Sequence, residues 1–91
     1  MDFNHFRSLN GWTLERAADE MRASGDPAVV NITASMISRH ERAVTFPNPA
    51  MIDRYAEITA NAVQFQDWNR LRQEGGRANL PRGRRPKVGV G

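Results

Sequence analysis

The segment from Thr13 to Met21 constrains the fold of this chain more than any other. Its apolar residues recur at i, i+3, i+4 and i+7 with no glycine or proline between them, which is the spacing of one face of an amphipathic helix. Thr13 can cap the first turn, and Glu15 follows where the helix dipole favours an acid. The sequence therefore predicts a helix that needs other elements to cover its apolar face.

The rest of the chain up to Glu74 predicts more helices, separated by residues that stop or start them. Asn10-Gly11 ends the first helix and Gly25-Asp26-Pro27 ends the second, since proline cannot continue a helix. No segment has the alternating pattern of a strand. We therefore expect an all-α, compact bundle of about five helices. The further predicted helices are Asp2–Leu9, Ala34–Arg42 after the cap Thr33, one that begins at Asn48-Pro49, and Val63–Gln73.

The charged residues divide the chain into an acidic body and a basic tail. Residues 1–74 carry eight arginines, no lysine and ten acids, a balance of −2, whereas residues 75–91 carry five basic residues and no acid. The tail has too few apolar side chains to offset the entropy of ordering, so we expect a folded domain over 1–74 and a flexible, disordered tail over 75–91. The basic residues of this tail are Arg77, Arg82, Arg84, Arg85 and Lys87.

The residue types argue against an enzyme, a metal site or a cofactor. The chain has no cysteine and only two histidines, and it has no phosphate-binding glycine loop or nucleophile–base arrangement. Its start lacks the basic and apolar regions of a signal peptide, and no apolar run approaches the length of a membrane span. We expect a cytoplasmic, nucleoid-associated protein without catalytic activity.

Three stretches resemble, in the right order, the helix-turn-helix family of phage repressors and Cro proteins (the lambda-repressor-like or XRE family). Phe6–Ala18 resembles the opening of that family, Ile32–Arg42 its recognition segment, and Pro47-Asn48-Pro49 the start of its fourth helix. The match covers Phe6–Ala60, about three-fifths of the chain. The resemblance implies a five-helix bundle containing a helix-turn-helix, and a homodimer that binds a palindromic operator in double-stranded DNA.

The resemblance also implies roles for individual residues in and around a recognition helix at 33–42, which would lie in the major groove. Arg39 is the foremost candidate to read a base, since a guanidinium can bond O6 and N7 of guanine together, although a phosphate contact or a solvated charge remains open. The candidates that would read bases are Ala34, Ser35, Met36, Ser38 and Arg39. The candidates that would contact the DNA backbone are Thr13, Thr33, Arg42 and Thr45.

Three residues are expected to support this helix or to lie at its edge. Arg7 and Glu41 match a pair that in the family ties the first helix to the end of the recognition helix; two separate surface charges are the alternative. A partly buried arginine also needs a carboxylate with good hydrogen-bonding geometry. For His40 we expect a packed imidazole rather than a ligand.

The sequence departs from the family between the second and third helices. About nine extra residues separate Met21 from Asn31, where the family has a short turn, and Ala43 stands where glycine is usual. The inserted loop 22–31 can extend the second helix, carry a phosphate contact, serve a partner protein, or be a tolerated surface insertion. We expect its apolar Val29 and Val30 to pack back on the body.

Two further features concern partners. Pro81–Lys87 resembles an AT-hook, which binds the minor groove of A·T-rich DNA, but Arg85 interrupts the match and a general basic arm is the alternative. A homodimer would have to form through the last helix, where the candidate surface is Phe65, Trp68 and Leu71; the alternative is that this apolar stripe belongs to the core.

The sequence predicts one function and leaves one alternative open. The predicted function is that of a sequence-specific regulator of transcription, a repressor that reads the major groove with helix 33–42 and contacts phosphate or the minor groove with its tail. The alternative is an antitoxin or adaptor that binds a small protein partner with the same fold. The acidic body favours this alternative, because acidic surfaces near DNA lower affinity.

The tail leads to a testable prediction. Affinity for DNA falls as salt concentration rises, and each phosphate contact contributes about −0.9 to the slope of log affinity against log salt concentration. Removing residues 76–91 should therefore make this slope less negative by about four. Preference for the operator over other sequences should be retained. Titrations of both forms over a salt series measure this, and equal slopes would show that the tail does not contact DNA.

Overall fold

A computed structural model describes residues 1–74, so the predicted tail 75–91 lies outside the described residues. Residues 1–74 form five helices and no strand, which confirms the predicted all-α bundle. None of these helices has the length and apolar character needed to cross a membrane. The helices are α1 (Phe3–Asn10), α2 (Leu14–Arg22), α3 (Ala34–Glu41), α4 (Pro49–Ile58) and α5 (Phe65–Gln73).

The helices begin where side chains can satisfy the free N–H groups of the first turn. The side-chain oxygens of Thr13, Thr33 and Asn48 each accept a hydrogen bond from the backbone N–H three residues on, at 3.0, 3.1 and 2.8 Å. Each such cap stabilises a helix by about 1 kcal/mol. At α5 the carboxylate of Asp67 instead reaches back to the N–H of Gln64 at 2.9 Å. The predicted starts of α2, α3 and α4 are therefore confirmed.

An aromatic cluster forms the centre of the core. The ring centroid of Tyr55 in α4 lies 4.8 Å from that of Phe3 in α1 and 4.6 Å from that of Trp68 in α5. All three side chains are buried. Aromatic rings bury large apolar areas and gain further from such tilted contacts. This cluster therefore joins α1 to α4 and α5, which lie far from it in sequence.

The predicted apolar stripe of α2 faces α3 and α4. Ala17, Ala18 and Met21 are buried, and Ile37 in α3 is buried opposite them. The small side chains of the two alanines allow the backbones of α2 and α3 to approach closely, and these two helices make the most extensive contact of any pair. The chain thus has two consecutive, tightly packed helices, as a helix-turn-helix requires.

The inserted loop is folded back on the body through buried side chains. Helix α2 ends at Arg22, so the insertion extends it by one residue only. Val29 and Ile32 are buried, whereas Val30 is exposed, which corrects the expectation that both valines pack inward. Successive residues of one tight turn point in different directions, so it buries only one of the pair. Asp26 organises the turn, since its carboxylate accepts a hydrogen bond from Ala28 N at 2.9 Å.

The turn after α4 contains an alanine in a left-handed conformation, which leads to a prediction. Ala60 is exposed and has φ 52°, whereas Ala23, also exposed and next to a helix end, has φ −62°. The left-handed region costs an L-residue about 1–2 kcal/mol, more than glycine loses through its freedom in the unfolded state. Ala60→Gly should therefore raise the free energy of unfolding by about 0.5 kcal/mol.

Ala23→Gly is the matched control for Ala60→Gly. It should lower the free energy of unfolding by about 0.5–1 kcal/mol. Ala23 has no backbone strain for glycine to relieve, and glycine loses more conformational entropy than alanine on folding. Urea unfolding of both variants measures the difference. Changes of the same sign would show that backbone strain at Ala60 does not limit stability.

Candidate functional site

Helix α3 has one face buried in the body and the opposite face exposed. Ile37, His40 and Glu41 are buried on the inner face. Ser35, Arg39 and Arg42, at i, i+4 and i+7, are exposed on the outer face. Ala34, Met36 and Ser38 are only half-buried. Of the five predicted base-reading residues, Ser35 and Arg39 are therefore the two that extend freely from the molecule.

Arg39 differs from every other arginine that the structure describes. Residues 1–74 contain eight arginines, and within that range only the guanidinium of Arg39 has no hydrogen-bond, ion-pair or ring partner. Its five N–H donors are free to bind an external acceptor. The outer face of α3 thus offers an unengaged, exposed guanidinium in the last turn of the helix.

The structure brings Arg7 and Glu41 together in a bidentate ion pair. Arg7 donates from Nε to Oε2 at 2.7 Å and from Nη2 to Oε1 at 2.9 Å. Its third donor, Nη1, binds the carbonyl oxygen of Trp12 at 2.9 Å, and Asn4 adds a fourth contact, to Glu41 Oε1 at 3.2 Å. The hydrogen bond to Glu41 raises the pKa of Arg7 in spite of burial. This network joins α1, the turn before α2 and the end of α3.

His40 anchors the same end of α3 to α4. Its Nδ1 lies 2.8 Å from the hydroxyl of Tyr55, and its ring meets those of Tyr55 and Trp68 edge to face. Burial lowers the pKa of His40 to about 4, although the carboxylate of Glu41 acts in the opposite direction. His40 is therefore a packed, neutral imidazole at pH 7.

Two arginines that the sequence reasoning did not single out fix the end of α2 and the start of α3. Arg22 donates from Nη1 to the carbonyl of Ile32, next to the cap of α3, at 2.7 Å. Arg54 in α4 donates to the carbonyls of Glu20 and Met21 at 2.6 and 3.2 Å. Both arginines bind backbone carbonyl groups. Those bound by Arg54 belong to the last turn of α2, where carbonyl groups have no partner within the helix. The insertion between α2 and α3 is therefore closed by a hydrogen bond across its base.

The predicted backbone-contacting residues lie at the ends of α2 and α3. The hydroxyls of Thr13 and Thr33 accept the cap hydrogen bonds of these helices, and both residues are exposed. Arg42 and Thr45 are exposed just beyond the other end of α3, and Arg42 Nε donates to the carbonyl of Ser38 at 3.3 Å. The hydroxyl of Thr33 and the guanidinium of Arg42 therefore flank the outer face of α3 at its two ends.

The predicted dimer surface is corrected by the structure. Trp68 and Leu71 are buried in the core, because α5 packs this side against α1 and α4. Only Phe65 of the three is exposed, with 53% of its surface accessible, and its ring meets that of Phe46 at 6.0 Å. The tail residues predicted to bind DNA, Arg77, Arg82, Arg84, Arg85 and Lys87, lie outside the described residues.

Comparisons with known proteins add nothing to this site. No family model, curated protein or solved structure matches the chain. Within residues 1–74, no group of three or more histidine, aspartate or glutamate side chains is placed to hold a metal ion.

The buried histidine leads to a prediction about acid stability. In the unfolded chain His40 takes up a proton near its ordinary pKa of 6.5, whereas in the folded protein it does so only near 4. Stability should therefore be fully present above pH 6.5 and fall as the pH drops from 6.5 to 4, by on the order of 2 kcal/mol.

Urea unfolding at a series of pH values tests whether His40 causes this loss of stability. His40→Gln, which cannot titrate, should abolish the loss of stability between pH 6.5 and 4, while His5→Gln at an exposed position should retain it. If His40→Gln keeps the full pH dependence, other groups are responsible for it.

Proposed function

We propose that this protein is a sequence-specific DNA-binding regulator, a repressor that reads the major groove with the outer face of α3. The observation that supports this most directly is the exposed, unengaged guanidinium of Arg39 in the last turn of a helix whose inner face is anchored. A helix presented in this way fits the width of the major groove, with the helix before it as a brace. The resemblance of Ile32–Arg42 to a recognition segment agrees with this role.

The side chains on and beside the outer face suit different parts of a base pair. Arg39 can donate two hydrogen bonds to O6 and N7 of guanine, and Ser35 can bond to a base edge or a phosphate. The half-buried Ala34 and Met36 present apolar atoms suited to a thymine methyl group. Among these side chains, Arg39 is the one that can form two hydrogen bonds to a single base, so it would carry most of the sequence discrimination.

The distribution of charge implies that α3 is not sufficient for affinity. The body carries a net charge of −2, so the phosphate backbone of DNA gains little from it as a whole. The five basic residues of the tail would supply the missing attraction by displacing counterions from the DNA. We therefore assign sequence discrimination to α3 and much of the affinity to the tail.

Selection of binding sites from random double-stranded DNA, with the full chain, is the experiment that tests this function. Enrichment of a defined sequence supports a DNA-binding regulator, and two copies of it at a fixed spacing would indicate a dimer. Failure to enrich any sequence would contradict the proposal and favour the alternative of an adaptor or antitoxin that binds a protein partner. The acidic body is the observation that supports this alternative.

Arg39 leads to a prediction on the selected site. Arg39→Ala should lower discrimination at one base pair per half-site by about 1–3 kcal/mol, because a bidentate contact to guanine is lost. Arg39→Lys should restore little of it, since an ammonium lacks the planar pair of donors. Affinities for the selected site and for its single-base variants measure both effects.

The matched control removes an exposed arginine that does not belong to α3. Arg70→Ala, in α5, should leave the preference at every base pair unchanged. If Arg39→Ala weakens binding equally on all sequences and Arg39→Lys restores it, Arg39 contacts phosphate and does not read a base.

A further inference from the structure

An open apolar groove lies on a different surface, between the segment before α4, α4 itself and the start of α5. Its volume is about 520 Å³. The rings of Phe46 and Phe65 form one wall in an edge-to-face contact, and Phe65 remains half-exposed. Pro47, Pro49 and Ile52 complete the apolar lining. A concave apolar surface of this size on a small domain is typical of an interaction site.

The groove also contains an acid whose charge is not balanced locally. Asp53 lines the groove and is exposed. Within residues 1–74 its carboxylate has neither a hydrogen-bond donor nor an ion-pair partner. The matching ligand therefore combines a bulky apolar group with a nearby cation.

We propose that the groove binds Asn79-Leu80-Pro81-Arg82 from the tail of the same chain. Leu80 and Pro81 would pack against the aromatic wall, and Arg82 would pair with Asp53. Leu80 is the only leucine, isoleucine or aromatic residue in 75–91, and the cation at Arg82 follows it by two residues. The apolar and basic groups of this segment thus match those that line the groove.

The position at which the described chain ends makes this contact possible. The guanidinium of Arg72, near the end of α5, stacks on the ring of Phe46 at 4.2 Å, so the described part of the chain ends beside the groove. Phe65 and Gln73 are separated by about 12 Å along the axis of α5. The six residue-to-residue steps from Glu74 to Leu80 can span about 20 Å when the chain is extended, which is enough to return along α5.

Charge and tethering favour the tail over a second copy of the protein. The body of a second copy would bring a net charge of −2 to a groove that already holds an unbalanced acid, whereas the tail brings five basic residues and no acid. A segment joined to the body by a short linker also has an effective concentration in the millimolar range. A second copy reaches such a concentration only in very concentrated solutions.

Docking has a consequence for DNA binding that rests on the proposed function. A tail held in the groove keeps Arg82 away from phosphate, so DNA must displace the segment before the tail adds to affinity. The body would therefore restrain the tail until a strong phosphate field competes with Asp53. The docking itself needs no DNA and can be tested without it.

Backbone relaxation of the ¹⁵N-labelled full chain, free of DNA, tests the docking. Order parameters for the amides of Leu80 and Arg82 should exceed about 0.6, while those of Val88 and Val90 should lie below it. Phe65→Ser should lower the value at Leu80 to that of Val88. Leu9→Ser, at an exposed leucine on α1, is the matched control and should change nothing.

The charge contribution is tested with a second pair of variants. Asp53→Asn should lower the order parameter at Arg82, whereas Glu15→Gln, which removes an exposed acid on α2, should not. Equal mobility of Leu80, Arg82 and Val88 in the unmodified chain would overturn the proposal. Order at Leu80 that disappears on dilution would overturn it too, because a second copy would then be the occupant. Neither result affects the selection of DNA sites by α3, so the two proposals can fail separately.

Discussion

The buried carboxylate of Glu41 is the group on which the orientation of α3 depends. Burying a carboxylate costs several kcal/mol, and here two hydrogen bonds from Arg7 and one from Asn4 offset that cost. Since Arg7 also binds the carbonyl of Trp12, the same ion pair fixes the turn that precedes α2. Displacing α3 would leave a buried charge without partners, which typically costs 3–5 kcal/mol. The helix is therefore held in a single position by electrostatics as well as by packing.

This arrangement separates the structural and the exposed residues of one short helix. Ile37, His40 and Glu41 use all their interactions within the body, whereas Ser35 and Arg39 point away from it. A ligand that binds the outer face does not have to order the helix backbone, so little of the binding energy is lost to entropy. The arrangement also means that substitutions on the outer face can change the exposed surface of α3 without lowering stability.

Features that depend on nearby residues could be predicted from the sequence, and those that depend on distant backbone atoms could not. The starts of α2, α3 and α4 are determined by caps that act three residues away, and the pattern shows these directly. The position of Arg54 could not be predicted, since its partners are carbonyl groups more than thirty residues away in α2. Phe65 and Trp68 belong to the same apolar stripe, but only Trp68 faces other helices, because Phe65 is the first residue of α5 and borders the groove.

The inserted loop shows why length alone does not decide how firmly two helices are placed. A longer connection costs little extra closure entropy, about 0.6 kcal/mol for each doubling, and burial of Val29 and Ile32 exceeds that cost. The hydrogen bond from Arg22 to the carbonyl of Ile32 then closes the loop at its base. Since this carbonyl directly precedes the cap of α3, the insertion does not loosen the start of the helix. A long connection between α2 and α3 is thus compatible with a rigidly presented α3.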